Sequence, residues 1–327
     1  MIYWPSSNGR EPSGGAPSGG VRERSEGGPV TAPRIGAVIW PMQSWPEAGE
    51  TWRRAEELGF RHAWVYDHIA WRGTTPWYDA YTTLAAAAAV TSRIRLGTLV
   101  TSPNFRHPVP AAHAVKTIDH VSGGRLDLGI GAGGTRRASD AGILGGDDWT
   151  PRERADRFAD WVGLLDRLLR QPETTFEGTH YTAREVVQEP GCVQRPRVPF
   201  VIAGDGPRGM RLAARHGAGW VTSPHGGGRE AWDTVRARMD AFDAACEAEG
   251  REVAERVLLT GFSEEPWLDS TAAFDDLAGR YAELGVTEIV LHWPRPGSAF
   301  DADMKVFEAV AAEHGEHTRR PGHTGGR

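Results

Sequence analysis

IRLGTLVTSPNFRHPVPAAHAVKTIDHVSGGRLDLGIG, residues 94–131, holds the pattern that decides the fold. Two near-continuous apolar runs, IRLGTLV and RLDLGIG, flank an amphipathic stretch over 109–121. A strand with one wet face alternates apolar and polar residues. Runs this continuous mean burial on both faces, as in a parallel sheet covered by helices. The segment therefore reads as strand, helix, parallel strand.

Outward from it the same alternation recurs. The runs RIGAVIW, HAWVY, PFVIAG, AGWVTS, ERVLLTGF and TEIVLHW bring the set to eight. Helix-like segments lie between them at 47–58, 78–91, 151–170, 207–216, 229–249 and 270–284, with a last one at 301–313. Eight βα units predict an α/β protein of the (β/α)8 TIM-barrel class. An open doubly wound sheet is the alternative. Two long connections, 131–150 after the fourth strand and 171–198 before the fifth, are expected insertions of the lid or binding-loop kind.

Composition narrows the function. A net charge of −6 argues against nucleic-acid binding. The longest apolar run, 84–90, is mostly alanine and far too short to cross a bilayer. Cys192 and Cys246 form no C-x-x-C pair and fit a reducing cytoplasm. Residues 1–33, rich in Gly, Ser and Pro, read as a disordered tail, with translation starting near Val30 as one hypothesis. Residues 34–315 read as the barrel domain and 316–327 as a second flexible tail.

Barrel chemistry sits where strands end. WVYDHIAW, residues 64–71, places Asp67 and His68 directly after the second strand. The plainer reading is a helix cap beside a surface imidazole; position favours an active-site edge. In PNFRHP, residues 103–108, Arg106 and His107 face the barrel mouth or build a capping turn, and both readings stay open. Trp40, Trp71, Trp77 and Trp293 fall near strand ends and suit the wall of a pocket for a flat ring, whereas Trp52 and Trp161 lie within helices and read as packing. GDGPRG, residues 204–209, follows a strand and opens a helix, so Gly204, Asp205, Gly206 and Pro207, with Arg208, form a phosphate cradle more readily than a plain glycine turn.

Other motifs are set aside. GIGAGG and GDGPRG both match G-x-G-x-x-G, yet neither is followed by an acid at the next strand end, as a dinucleotide site requires. Asp147 and Asp148 read as a solvated turn or as dipole support for the following helix. The chain lacks H-E-x-x-H and G-x-S-x-G, so neither a metal centre nor an α/β-hydrolase is expected.

On RIGAVIW, ELGFRHAWVYDH, RIRLGTLVTSPNFRHP, SGGRLDLGIGAG, VPFVIAGDGPRGMRLAARHGAGWVTS and ELGVTEIVLHWP, the chain resembles the luciferase-like flavin oxidoreductases from about Arg34 to Pro296. The resemblance implies a (β/α)8 enzyme using reduced FMN with oxygen, or the deazaflavin coenzyme F-420 for hydride transfer. The Asp-His pair followed by Trp71 is more similar to the deazaflavin dehydrogenases than to the long-chain luciferases, which tend to show Glu-His-His. It further implies that Asp67 and His68 border the ring system, with His68 catalytic. Leu99–Val100 would form a non-prolyl cis bulge against the ring, with Thr101 and Ser102 beside it, and residues 204–207 would take the phosphate. Trp40, Trp71, Arg106, His107, Thr222 and Ser223 are substrate-pocket candidates. The chain departs from the sugar-phosphate dehydrogenases of that branch: their catalytic Glu would fall near Gly134, and Pro224 and His225 stand where a phosphate-binding Lys would follow WVTS. Glucose 6-phosphate is therefore a doubtful substrate. The expected activity is deazaflavin-dependent hydride transfer on a small organic substrate. The alternatives are an FMN-dependent monooxygenase served by a separate flavin reductase, and a flavin-binding barrel without turnover. A homodimer is expected.

Overall fold

The computed structural model describes residues 31–71, 74–134, 140–146 and 149–316. The expected tail over 1–30, most of the C-terminal tail, and Asp147 with Asp148 lie outside the described residues. Glu316 is fastened to the barrel: its amide donates to Gly59 O at 2.7 Å and its carboxylate lies 3.6 Å from Arg61.

Eight parallel strands close into a barrel: β1 (Arg34–Val38), β2 (His62–Val65), β3 (Arg95–Thr101), β4 (Leu126–Gly131), β7 (Phe200–Ala203), β8 (Gly219–Thr222), β9 (Glu255–Leu259) and β10 (Glu288–His292). Around the ring they run β1-β10-β9-β8-β7-β4-β3-β2, with β1 hydrogen-bonded to both β10 and β2. The fold is a (β/α)8 TIM barrel. Its outer layer holds α1 (Trp45–Glu57), α2 (Ala80–Val90), α3 (Pro108–Ser122), α5 (Pro151–Arg170), α6 (Pro207–His216), α7 (Gly228–Glu249), α8 (Thr271–Glu283) and α9 (Met304–His314).

Local chemistry explains the helix starts. Thr150 and Glu153 form a reciprocal capping box ahead of α5, with Pro151 in its first turn. Asp79 accepts from Thr82 N ahead of α2, and Ser270 from Ala273 N ahead of α8. Continuous apolar strands produce two cores. On β10, Ile289 and Leu291 pack outward against the helices, while Val290 packs inside the barrel with Val38, Leu99, Val201 and Val257. Trp64 also points inward, and Gly97 on the neighbouring strand makes room for it: a Cβ there would run into the indole.

The 131–150 connection carries one short helical turn, α4 (Asp140–Ile143). The 171–198 connection carries an antiparallel hairpin of β5 (Glu173–Glu177) and β6 (Thr182–Val187). These strands are mostly exposed and too polar for the continuous-run criterion to find. Among the described residues, no helix is long and apolar enough to cross a membrane.

Candidate active site

A cavity of about 930 Å3 opens at the C-terminal ends of the barrel strands, lined from β2, β3, β4, β7, β8 and β9 and from α5 and α6. The connection after β4 lines it and supplies Asp140; residues 171–198 do not reach it.

His68 lines the cavity and is partly exposed. Its Nδ1 donates to Asp140 Oδ2 at 2.9 Å, and the other Asp140 oxygen accepts from the amide of Ile69 at 2.6 Å. Burial pushes the Asp140 carboxyl up, but the bonds from His68 and the Ile69 and Ala70 amides hold it below its ordinary value. An ionised carboxylate can only accept, so Nδ1 carries a proton and Nε2 is the acceptor nitrogen of the neutral ring. Asp140 escaped the sequence reading, because nothing in TRRASD marks that acid as the partner of a histidine 72 positions away.

Asp67, adjacent in sequence, does other work. Its carboxylate is buried beneath the site, accepting from Thr101 Oγ1 and from Arg106 through Nε at 3.1 Å and Nη2 at 2.7 Å. Burial pushes this carboxyl up, and Arg106 and Thr101 pull against that. Arg106 also bonds Asp79 at 2.5 Å and stacks over Tyr81, with its carbon 4.4 Å from the ring centre. Neither Asp67, Thr101 nor Arg106 lines the cavity. Asp67 and Arg106 lie in the loops beyond β2 and β3, and their two-nitrogen contact holds both side chains away from the cavity. His107 caps α3, its Nδ1 accepting from Val109 N at 3.2 Å, and stays outside the cavity.

The Leu99–Val100 peptide is cis, and the β3–β4 register shifts there, between Thr98 and Thr101. Leu99, Val100 and Ser102 line the cavity beside the side-chain-poor segment 131–134 of the neighbouring strand end. A Cβ on Gly131 would come 2.7 Å from Val100 Cγ2, so the two strands pack here with no room for a side chain at 131.

Residues 204–207 line the end of the cavity where α6 begins, with Gly206 as its N-cap and Pro207 in its first turn. Free amides and the helix dipole favour an anion here. Arg152 and Arg154 of α5 and Arg208 and Arg211 of α6 line the same end. Arg208 donates to Asp156 at 2.7 Å. Asp205 is paired with Arg238 at 3.1 Å through Oδ2, while its buried Oδ1 has no hydrogen-bond partner among the described residues; burial pushes this carboxyl up. Thr222 and Ser223 line the neighbouring wall.

The opposite side is aromatic. Tyr66, Trp71 and Phe262 line the cavity, and Trp40, His292 and Phe300 pack behind them, with ring centres 4.2–6.1 Å apart. Tyr66 Oη and His292 Nε2 lie 2.6 Å apart, and burial holds the imidazole neutral by pushing its pKa down to about 3. Trp40 is thus a supporting wall. Trp77 packs 6.0 Å from His68, and Trp293 offers its carbonyl to Trp40 Nε1 at 2.8 Å. Trp52 and Trp161 are buried among the helices.

Among the sequence candidates, His68, Trp71, Leu99, Val100, Ser102, Thr222, Ser223 and residues 204–207 converge on one cavity.

Comparison with known proteins places the fold and sequence among enzymes. An F-420-dependent glucose-6-phosphate dehydrogenase of Beutenbergia cavernae is 36% identical over 187 residues, 54% of this chain and 52% of that protein. This chain thus spans about half the length of such dehydrogenases. An F-420-dependent hydroxymycolic acid dehydrogenase of Mycobacterium tuberculosis is 30% identical, covering 70% of this chain and 60% of that one. Two solved structures share the fold: a monooxygenase of Streptomyces bottropensis (TM-score 0.69, 24% identity, 86% of this chain and 98% of that one), and an F-420-dependent secondary alcohol dehydrogenase in complex with an F-420–acetone adduct (TM-score 0.71, 19% identity, 86% and 99%). The family model for luciferase-like monooxygenases matches residues 23–263, well over half of the sequence. The chain belongs to the luciferase-like monooxygenase family.

Proposed function

We propose that this chain is an oxidoreductase that moves a hydride between coenzyme F-420 and a small alcohol or carbonyl compound, with His68 exchanging the proton on the substrate oxygen. The observation that carries the proposal is the His68–Asp140 pair in the lining of a barrel-mouth cavity whose far end is a cationic helix N-terminus.

The residues present fit such a coenzyme. Residues 204–207 and the arginines of α5 and α6 would hold its anionic end, and the floor made by Leu99, Val100 and residues 131–134 would lie against its flat ring. Bound there, a deazaflavin supplies a two-electron donor or acceptor of hydride. In the oxidising direction His68 Nε2 takes the hydroxyl proton of the substrate, and the ionised Asp140 stabilises the imidazolium that results. In the reducing direction the same atom returns the proton. The aromatic wall excludes water from the reacting centre.

FMN carries a phosphate too, so the cradle alone does not choose between the two. The F-420-dependent dehydrogenases found at 30–36% identity favour the deazaflavin. Fluorescence titration of the purified protein with F-420 and FMN, oxidised and reduced, tests this. Tight F-420 binding with weak FMN binding is expected. The reverse result would replace the proposal with an FMN-dependent monooxygenase needing a flavin reductase. A cytoplasmic homodimer belongs to the same reading, as does a catalytic domain over 34–315 with tails on either side; light scattering and limited proteolysis check these.

A further inference from the structure

The barrel's strand order divides the cavity into two chemical halves. Aromatic side chains come from the ends of β1, β2, β9 and β10, which are contiguous around the ring. The arginines that line the cavity come from α5 and α6, which follow β4 and β7, on the other side. His68, at the end of β2, stands on the aromatic side, its ring 6.4 Å from Tyr66 and 6.0 Å from Trp77.

Among the described residues that line the aromatic half, none is a lysine or an arginine. Among the described residues the cations nearby are committed elsewhere, and Arg295 lies over Trp40 behind the wall, 5.8 Å from its ring centre. Arg106 is held below the cavity by Asp67 and Asp79, and Arg238 by Asp205 and Ser223 O. His225, which lines the adjoining wall, is held neutral by burial. His292 behind the wall is occupied by Tyr66. A phosphate or carboxylate brought to His68 would lose its water, meet the Asp140 carboxylate and gain no lysine or arginine from the described residues lining this half, which costs several kcal/mol. A flat apolar body would instead gain ring contacts with Tyr66, Trp71 and Phe262.

We infer that the substrate is an uncharged alcohol or carbonyl compound with a flat, ring-bearing apolar body, seated between Trp71 and Phe262 with its oxygen toward His68. This rests on the proposed oxidoreductase reading and adds to it a substrate class, one that sets sugar phosphates aside.

The test is quenching of intrinsic tryptophan fluorescence by 2-acetonaphthone and by glucose 6-phosphate, on the full chain with and without F-420. Saturable quenching by the naphthone is expected in both conditions, weakened about tenfold in Trp71→Ala and restored in Trp71→Phe, with no response to the sugar phosphate. Trp71 is only partly buried, so circular dichroism of Trp71→Ala should match the parent. Phe262→Ala is the second variant and should weaken the naphthone similarly. The inference is overturned if glucose 6-phosphate binds more tightly than the naphthone. It is also overturned if F-420 displaces the naphthone, or if neither variant changes its binding. Failure of F-420 to bind, with Trp71-dependent naphthone binding intact, would remove the coenzyme proposal and leave the substrate class standing.

Discussion

His62 and Glu288 meet at the base of the barrel, Nδ1 lying 2.8 Å from Oε2, while the other ring nitrogen lies 2.9 Å from Asp127. The imidazole stacks on Trp64 and is buried at the opposite end of the barrel from the cavity. Burial alone pushes its pKa down; Glu288 and Asp127 overcome that and hold it at about 9. A histidine raised above its ordinary value of 6.5 contributes stability that is complete below that value and lost as pH rises through about 9. Melting curves from pH 6 to 10 should show Tm falling across that window. His62→Gln should be less stable at pH 7 by about 3–5 kcal/mol, since it leaves buried Glu288 with only a bond from Trp64 Nε1 while Asp127 keeps Arg95, and should show a flatter alkaline decline.

Removing the imidazole at the other end should act on turnover. His68→Ala is expected to lower kcat by about 10²- to 10⁴-fold while F-420 affinity persists. Asp140→Asn should also lower kcat, by up to about 10⁴-fold, because the ring stays but loses its fixed tautomer. Equal coenzyme Kd values in both variants and parent would separate the proton-transfer role from binding.

Asp67 is expected to behave as a structural acid despite standing next to His68. Asp67→Ala leaves Arg106 half-buried without its main partner and should cost about 3–5 kcal/mol in urea unfolding. Arg106→Lys should also be destabilising, since a lysine cannot reproduce the two-nitrogen contact. A loss of coenzyme affinity with unchanged stability would contradict this.

Much of the molecule could be read before any coordinate was known, for a physical reason. A parallel barrel buries both faces of its strands, and that demand writes itself into eight continuous apolar runs. The polar hairpin of β5 and β6 obeys no such demand and passed as loop. The site followed the same division. His68 and residues 204–207 were legible because strand ends and a glycine-proline helix start fix their place. Asp140 was not, because an irregular insertion carries it and only the fold brings it to His68. Asp67 and Arg106 looked like pocket residues because position after a strand end does not reveal that the two pair with each other beneath the site.

The glycine beside the cis peptide gives a steric test. Gly131→Leu should lower F-420 affinity more than about tenfold, since Val100 leaves no room for even the first carbon and the side chain would be forced into the cavity. Far-ultraviolet dichroism should be unchanged, and a parent-like coenzyme Kd would move the ring elsewhere in the cavity.

At the anionic end, Arg211→Ala and Arg208→Ala should each weaken F-420 binding and flatten its dependence on salt, because these side chains lie where ionic screening reaches. Titrations at low and high ionic strength would resolve the two contributions.

One Asp140 carboxylate ties together the amides of Ile69 and Ala70 and the ring of His68. The acid lives on an insertion outside the barrel wall, so the cavity-lining histidine takes its tautomer from a detachable part. Exchanging residues 132–150 for an insertion of different length would reassign the proton chemistry while leaving every barrel strand untouched. The scaffold and the reaction it hosts can thus diverge at separate rates, with this one loop as the seam between them.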